Sequence, residues 1–498
     1  MLFMMPFLAS ARLLPKEDGK LHYRIIGFYI DSIPSAKKYT LDIALGNFNA
    51  EDSFKKNIIL SRTSGNNNFI AEVPYFGRQY TWRITSAGAH SSKSKTRLYH
   101  FSTTAIPDLD SNNTRLRVTK NTGRYKDALF FLDGNRAIYD AYGQPVWYLP
   151  AIDGLNNETL RDVRDMKLSP QGTITFLLNN VPYEINYDGD ILWKAPNNGR
   201  VSGDSIEHYH HEFTRLSNGH YMALGSEYAL WKLPQSVKSD VLLNPKTIHD
   251  SINNIYYQKV EFGTIIEYDE KGDVVWSWRS SGYFRNSDLR DNINALNKFK
   301  DVHENSFFFD EKNQNIIISF RNISRILKIH YPDGGVINTY GNIYEHGANE
   351  SGNDLFCNQH SCKISTSGNL YMFNNNCCHK GASPQIVVMN ELNSGENNLK
   401  IIWEYSCLTE DAGLKAAAQF TSGGNVVELP DHAMFVSFAN DLSSNILIVN
   451  SDKKILWSAI PEKWNLIENK WEPVYQYRAS IATTQKEIGS LIWNGAKK

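Results

Sequence analysis

Three histidines stand out because they recur at one position of a repeating pattern. His211 lies eight residues before the turn residue Gly219, and His360 lies eight residues before Gly368. His303 begins the corresponding strand of the repeat between them. One buried histidine is usually a structural residue, whereas three imidazoles directed at one cavity indicate a site. The same register in the last repeat holds a glycine, so the predicted site is lopsided.

Polar residues near His303 indicate what this site binds. Asn305 follows two residues later and is predicted to lie on the same strand face. Arg321 is predicted on the next strand. A guanidinium forms fork-like hydrogen bonds with tetrahedral anions, and an amide adds another donor. The combination predicts a site for a bound oxyanion.

The elements that position these residues come from a repeat that begins near residue 110. Each copy has an apolar strand, a turn and a second apolar strand, and the mean spacing is about 62 residues. The copies end at Trp147, Trp193, Trp276, Ile337, Trp403 and Trp457. An upstream hairpin signal in most units gives about four strands per unit. This periodicity predicts a six-bladed β-propeller over 110–498, in preference to a long sandwich or a solenoid.

The chain before the repeat has a different pattern. Residues 20–105 contain short alternating strands between polar turns, for example over 22–30 and 80–86, and predict a fibronectin type III-like β-sandwich. Residues 1–19 are largely apolar and include small residues, which predicts a remnant of a secretory signal or a disordered N-terminus.

Charge and hydropathy exclude several classes of protein. The formal net charge of the 498-residue chain is −1, so it has no electrostatic footprint for nucleic acid or anionic membranes. It contains no apolar run of 18 residues, and therefore no transmembrane helix is predicted. Neither a P-loop nor a credible dinucleotide-binding glycine motif is present.

The five cysteines lie together between Cys357 and Cys407. They allow one local disulfide in an oxidising compartment, for example Cys357 with Cys362. A zinc site is the alternative, with candidate ligands Cys357, His360, Cys362, Cys377, Cys378 and His379. The spacing lacks paired CxxC motifs, so we expect no metal.

Several of these segments resemble the successive blade motifs of PAPS-independent arylsulfotransferases. They are HHEFTRLSNG, DVHENSFFFDEKNQNIIISFRN, QHSCKISTSGN, SGGNVVELPDHAMFVSF and QYRAS, and the resemblance extends over about residues 130–480. It implies a β-sandwich followed by a propeller. It also implies that His360 is a transiently sulfated nucleophile, assisted by His303 and Arg321. His211 is implied as a further catalytic histidine, with His210 as the alternative, and Asn305 and His210 are expected to bind substrate.

The activity implied by the resemblance is ping-pong transfer of a sulfuryl group from an aryl sulfate to a phenol through a sulfohistidine. No cofactor is expected, and the partners are small aryl sulfates and phenols. The expected location is periplasmic or secreted, and a homodimer is left open. The alternatives are a non-catalytic ligand-binding propeller, a metal site, and hydrolysis of aryl sulfates with water as acceptor.

Overall fold

The chain is nearly all β. The computed structural model describes residues 13–87, 97–107, 114–152, 162–233, 247–284, 302–341, 355–377, 383–391, 399–406, 423–439 and 444–494. Helical segments in these ranges are α1 (Glu51–Lys56), a 3₁₀ turn (Ser280–Gly282) and α2 (Gln485–Asn494). None of the described helices is long and apolar enough to cross a membrane.

The N-terminal part consists of two sheets. Its strands are β1 (Gly19–Leu21), β2 (Ile25–Tyr29), β3 (Lys38–Leu45), β4 (Ile58–Ser64), β5 (Asn68–Glu72), β6 (Gln79–Ala87) and β7 (Tyr99–Thr103). One sheet has the order β1-β7-β6-β3-β4, and the other pairs β2 with β5. The sheets pack face to face, since the ring of Phe28 lies 5.2 Å from Trp82 and 5.9 Å from Phe101 between centroids. The strands predicted over 22–30 and 80–86 are therefore present.

The start of the chain joins this first part. Residues 1–12 of the predicted signal segment lie outside the described residues. From there on, Leu14 exchanges backbone hydrogen bonds of 2.8 and 3.0 Å with Tyr29. Residues 13–19 thus pack on the sandwich.

Six antiparallel sheets follow within the described residues. The first contains β9 (Leu129–Leu132), β10 (Ala137–Asp140), β11 (Pro145–Tyr148) and β34 (Ala479–Ala482). The second contains β12 (Val163–Leu168), β13 (Ile174–Leu178), β14 (Val181–Ile185) and β15 (Ile191–Lys194). The third contains β16 (His208–Arg215), β17 (Tyr221–Lys232), β18 (Thr247–Asp250), β19 (Ile255–Tyr268) and β20 (Val274–Arg279).

The remaining three sheets are also antiparallel. The fourth contains β21 (Glu304–Asp310), β22 (Asn315–Phe320), β23 (Arg325–His330) and β24 (Val336–Gly341). The fifth contains β25 (His360–Ile364), β26 (Leu370–Asn374), β27 (Gln385–Glu391) and β28 (Leu399–Ser406). The sixth contains β8 (Thr114–Asn121), β29 (Asn425–Glu428), β30 (Met434–Ala439), β31 (Ser444–Val449), β32 (Ile455–Asn465) and β33 (Lys470–Pro473).

The repeating tryptophan joins one sheet to the next. Each predicted copy of the repeat forms an outer hairpin, such as β14–β15 or β31–β32. The indole of Trp147 donates to the carbonyl oxygen of Tyr187 in the second sheet at 2.9 Å. The indole of Trp403 makes the same bond from the fifth sheet to Ser451 in the sixth at 2.8 Å. A buried indole N–H needs an acceptor, and the neighbouring turn supplies it.

The last sheet connects back to the first. The indole of Trp457 donates to the carbonyl oxygen of Ala141 at 2.9 Å. Strand β34, from the end of the chain, pairs with β9 and becomes the inner strand of the first sheet. Strand β8 pairs with β32 in the sixth sheet. Strand β34 thus completes a sheet formed by residues 129–148, and β8, from residues 114–121, joins a sheet formed by residues 425–473.

Candidate functional site

The structure brings the predicted histidines together at one end of β16, β21 and β25. We call the first strand of each of the second to sixth sheets, β12, β16, β21, β25 and β29, its inner strand. The rings of His211 and His303 meet edge-on with centroids 5.1 Å apart. Nδ1 of His210 lies 2.8 Å from Nδ1 of His211. His360 is close enough that its charge state affects the pKa of His211. Histidines from the third, fourth and fifth sheets thus form one cluster.

The backbone leaves regular strand geometry at this cluster. His211 and His303 have φ values of 56° and 55°, and Ser361, the residue after His360, has 52°. The pairing register shifts between Tyr209 and Phe213 in β16 and after His360 in β25. A β-bulge with a left-handed residue turns side chains away from the regular pleat. These bulges direct the imidazoles into the shared space between the sheets.

The bulges also alter the predicted placement of the site residues. His360 begins β25, and His303 directly precedes β21, as the repeat alignment indicates. His211 instead lies inside β16, because that strand begins at His208. The prediction that Arg321 lies on a strand is wrong: β22 ends one residue earlier, and Arg321 lies in the following turn. Its backbone N–H still donates to the carbonyl oxygen of His303 at 2.9 Å.

His360 is held through one ring nitrogen. Its side chain is buried, and Nδ1 lies 2.7 Å from the amide nitrogen of Asn375. The same amide nitrogen donates to the carbonyl oxygen of Asn358 at 2.6 Å. Among the described residues, none forms a hydrogen bond with Nε2 of His360, which leaves this nitrogen for a substrate. Burial, and then the positive charge of Arg321, lowers the pKa of His360 well below its ordinary value, so the ring is neutral near pH 7.

His211 is also neutral near pH 7. Burial lowers the pKa of His211 well below the ordinary value, and the neighbouring His210 and His303 lower it further. The ring of Tyr477 lies 5.9 Å away between centroids and covers another side of His211. A neutral imidazole beside a neutral nucleophile is suited to accepting a proton rather than to pairing with an anion.

Arg321 and Asn305 are positioned differently from one another. The guanidinium of Arg321 is partly exposed and donates to the side-chain oxygen of Asn322 at 3.2 Å. Within the part of the chain that is described, it pairs with no carboxylate. Asn305 is fully buried, and its amide nitrogen donates to the carbonyl oxygen of Gln359 at 2.7 Å. Asn305 therefore supports the backbone directly before His360.

A buried network of charged residues lies beside the histidines. Nη1 of Arg478 lies 3.0 Å from Asp165 and 3.1 Å from Glu212, and Nη2 donates to the carbonyl oxygen of Asn305 at 2.8 Å. Lys167 also pairs with Asp165, at 2.6 Å. The carboxylates raise the pKa of Arg478 above its ordinary value despite burial. The guanidinium stays charged and ties the second, third and fourth sheets to the end of the chain.

Sequence reasoning missed two residues of this site. Asn375 lies in NNNCCHK, a segment without a recognised pattern, and no spacing rule relates it to His360. Arg478 is contained in the segment QYRAS, which supplied a family resemblance but no stated role. The motif was a usable signal for Arg478, whereas none existed for Asn375.

The cysteines differ from the predicted pairing. Cys357 is disulfide-bonded, whereas Cys362 and Cys377 are free thiols. The predicted bond between Cys357 and Cys362 is therefore wrong, and the partner of Cys357 lies outside the described residues. Cys362 is buried beside the hydroxyl of Ser306, and burial raises the pKa of its thiol to about 12.

Comparisons with known proteins identify a sequence family. The sequence profile of the family described as Arylsulfotransferase (ASST) matches residues 89–406. No curated protein matches the chain significantly in sequence.

Solved structures resemble the chain only distantly. A protein of unknown function from Bacteroides caccae is 11% identical, with a TM-score of 0.40, and the match covers 72% of this chain and 100% of that one. A periplasmic gluconolactonase from Pseudomonas aeruginosa is 10% identical, with a TM-score of 0.35, and the match covers 74% of this chain and 99% of that one. We base no assignment on these structural likenesses.

Proposed function

The chain belongs to the arylsulfotransferase family, and from this premise we propose that it moves a sulfuryl group from an aryl sulfate to a phenol through a sulfated His360. The observation that supports this proposal is the state of His360. Its imidazole is buried and neutral, Nδ1 lies beside the side-chain amide of Asn375, and no described residue bonds Nε2. Arg321, whose charge acts directly on this ring, is without a carboxylate partner in the described ranges and can receive the sulfate oxygens.

The first half-reaction forms the covalent intermediate. The Nε2 lone pair of His360 attacks sulfur, an N–S bond forms, and the S–O bond to the aryl group breaks. The electron pair of that bond leaves with the phenolate, which takes a proton from His303. Attack requires the imidazole proton on Nδ1, from which it is donated to the carbonyl oxygen of Asn358. The side-chain amide of Asn375 must then turn its oxygen towards Nδ1, because an NH₂ group cannot bond a protonated nitrogen.

The second half-reaction returns the enzyme to its resting state. The oxygen of an acceptor phenol attacks sulfur while His211 takes the phenol proton and passes it to the adjacent His303, and the N–S bond electrons return to His360. Arg321 stabilises the negative oxygens in both transition states, and the second amide proton of Asn305 adds a donor. His210, in contact with His211, borders the acceptor side. The proposal needs no cofactor and no metal.

We also propose the architecture that goes with this function. The six sheets are read as the blades of a six-bladed propeller over 110–498, supported by the contact of Trp457 with the first sheet. Residues 20–105 are read as a fibronectin type III-like sandwich, supported by its two facing sheets. The disulfide at Cys357 favours an oxidising compartment, which supports a periplasmic or secreted location.

The proposal is tested by trapping the intermediate. The protein is mixed with 4-nitrophenyl sulfate, quenched within the first turnover and digested at neutral or alkaline pH. We expect a sulfo-adduct on the peptide that carries His360, and loss of the adduct when a phenol is added before the quench.

The outcomes distinguish the alternatives. An adduct that decays equally fast with and without phenol supports hydrolysis. Nitrophenol release without any adduct on this peptide contradicts the nucleophile assignment. Absence of both release and adduct supports a non-catalytic ligand-binding protein. The variant His432→Ala is the control, because this histidine is exposed on a turn of the sixth sheet and pairs with Glu428.

A further inference from the structure

A cavity lies towards the end of the inner strands that is opposite the histidine cluster. Its volume is about 420 Å³. Lys167 and Glu212 border it from the second and third sheets, Phe308 from the fourth, Lys363 from the fifth and Val427 from the sixth. The cavity is lined by the later residues of β12, β16, β21, β25 and β29, whereas the histidines lie at or just before the start of β21 and β25 and inside the bulge of β16. The reactions proposed above make no use of it.

Most charged groups around this cavity already have partners. Glu311 accepts hydrogen bonds from the backbone N–H of Ser217 at 3.1 and 3.2 Å. Glu428 accepts one from the backbone N–H of Thr366 at 2.7 Å. Arg215 pairs with Glu184 at 2.6 Å. These side chains are engaged with the rim and with the neighbouring sheet.

Lys363 is the exception among the cations that line the cavity. No carboxylate of the described residues lies within ion-pair distance of its ammonium group. The charges that act on it most strongly are Glu212 and Asp165, which are negative, and Lys167 and Arg478, which are positive. These four groups pair with one another at 2.6 to 3.6 Å, so their effects on Lys363 largely cancel.

The surroundings of Lys363 make its charge unfavourable without a ligand. Burial lowers the pKa of Lys363 to about 8. An anion in the cavity would supply the missing counter-charge and would be held by a charge-assisted hydrogen bond. Lys167 reaches the same space but is shared between Asp165 and Glu212.

The remaining walls restrict the body of such a ligand. Side chains of Pro170, Phe308, Ile364, Tyr371 and Val427 line the cavity. Apolar walls with one convergent charged group are typical of sites for small organic ligands. A volume of about 420 Å³ accommodates one aromatic ring with a charged substituent. We propose that this cavity is a binding site for a small aromatic monoanion, whose charged group pairs with Lys363.

The proposal is tested by calorimetric titration of the full chain with benzoate at pH 7. We expect saturable binding that is weakened about tenfold or more in Lys363→Met, as loss of a charged hydrogen bond predicts. Lys271→Met is the matched control, since this lysine is exposed on a turn of the third sheet, and it should bind benzoate as the wild type does. Equal affinity of Lys363→Met and wild type, or no saturable binding to wild type, overturns the proposal.

Two further measurements separate this cavity from the histidine cluster and from effects on folding. Benzoate should bind His360→Ala with unchanged affinity, and loss of binding there would assign the ligand to the histidines instead. The heat of binding to the wild type at pH 8.5 should depend on the ionisation enthalpy of the buffer, because Lys363 takes up a proton when the anion binds. Absence of proton uptake would contradict a pairing with Lys363, and this result needs no variant to fold.

Discussion

The buried histidine cluster and the buried charged network beside it differ in whether their side chains carry charge at neutral pH. At the histidine end, burial and neighbouring positive charge make the side chains neutral, as the lowered pKa values of His211 and His360 indicate. Beside the histidines, charge is retained because Asp165 and Glu212 each pair with Arg478 at about 3 Å. The neutral histidines suit the proposed nucleophile and proton acceptor, and the charged network is a fixed electrostatic framework.

The geometry of the backbone also varies along the inner strands. In these strands, bulges with left-handed residues occur beside the histidines, at His211, His303 and Ser361, and also at Asp165 of the charged network. The later residues of these strands, such as Lys363 and Ile364, pair in regular register with β26. Departures from regular geometry therefore mark the residues proposed for chemistry and one residue of the charged network beside them, as expected where strain positions a side chain.

Substitution of the nucleophile is the strongest test of this division. We expect His360→Ala to lower transfer from 4-nitrophenyl sulfate by about a thousandfold or more, because both half-reactions use its Nε2. The rate of nitrophenol release measures the effect, with His432→Ala as control. Turnover within tenfold of the wild type would place the chemistry elsewhere.

Removal of the guanidinium should have the next largest effect. Arg321→Ala should lower kcat by about a hundredfold or more, since a preorganised donor at a developing charge contributes about 3 kcal/mol. The kcat of Arg321→Lys should lie between those of the wild type and Arg321→Ala, because lysine keeps the charge but lacks the planar fork. Circular dichroism should show an unchanged fold. A loss of only a few-fold in the alanine variant would make Arg321 a structural residue.

Substitution of Asn375 should lower kcat less than substitution of Arg321, and it should also change the pH profile. Asn375→Ala should lower kcat about tenfold with little change in KM, since only the orientation of the His360 ring is lost. Asn375→Asp should instead move the acid limb of the pH profile upwards, because a carboxylate beside Nδ1 raises the pKa of His360. A purely structural role would leave the position of that limb unchanged.

The pH dependence should be the weakest response. A histidine with the ordinary pKa of 6.5 would be half protonated at pH 6.5 and would lose half its nucleophilicity. Because burial lowers the pKa of both His211 and His360, kcat/KM should change by less than about twofold between pH 8 and pH 6.5. The rate should fall only as the pH drops through these lowered values. A midpoint at or above pH 6.5 would contradict the neutral cluster.

The regular parts of the molecule were accessible from the sequence. The tryptophan repeat locates outer hairpins because four of its five indoles bond the next sheet, those of Trp147, Trp276, Trp403 and Trp457. The shared register of the histidines predicted their convergence, since equivalent positions of equivalent strands face one space. Local patterns therefore determined both the sheets and the choice of site residues.

The parts that could not be predicted depend on contacts between distant segments. A bulge has no reliable signature when its left-handed residue is histidine rather than glycine, and the placement of His211 within β16 follows from one. The contact of Asn375 with His360 comes from the turn after β26. The partner of Cys357 could not be read from spacing, because spacing does not fix disulfide connectivity.

The contribution of β34 to the first sheet has a consequence for the newly made protein. The first sheet lacks its inner strand, and Asp165 and Glu212 lack Arg478, until the end of the chain has left the ribosome. Contacts this distant in sequence form late and slowly during folding. A product of premature termination before Arg478 would hold every histidine of the cluster and still lack β34 and the charged network. The segment from Arg478 through β34 must therefore be translated before the first sheet and the charged network can be completed.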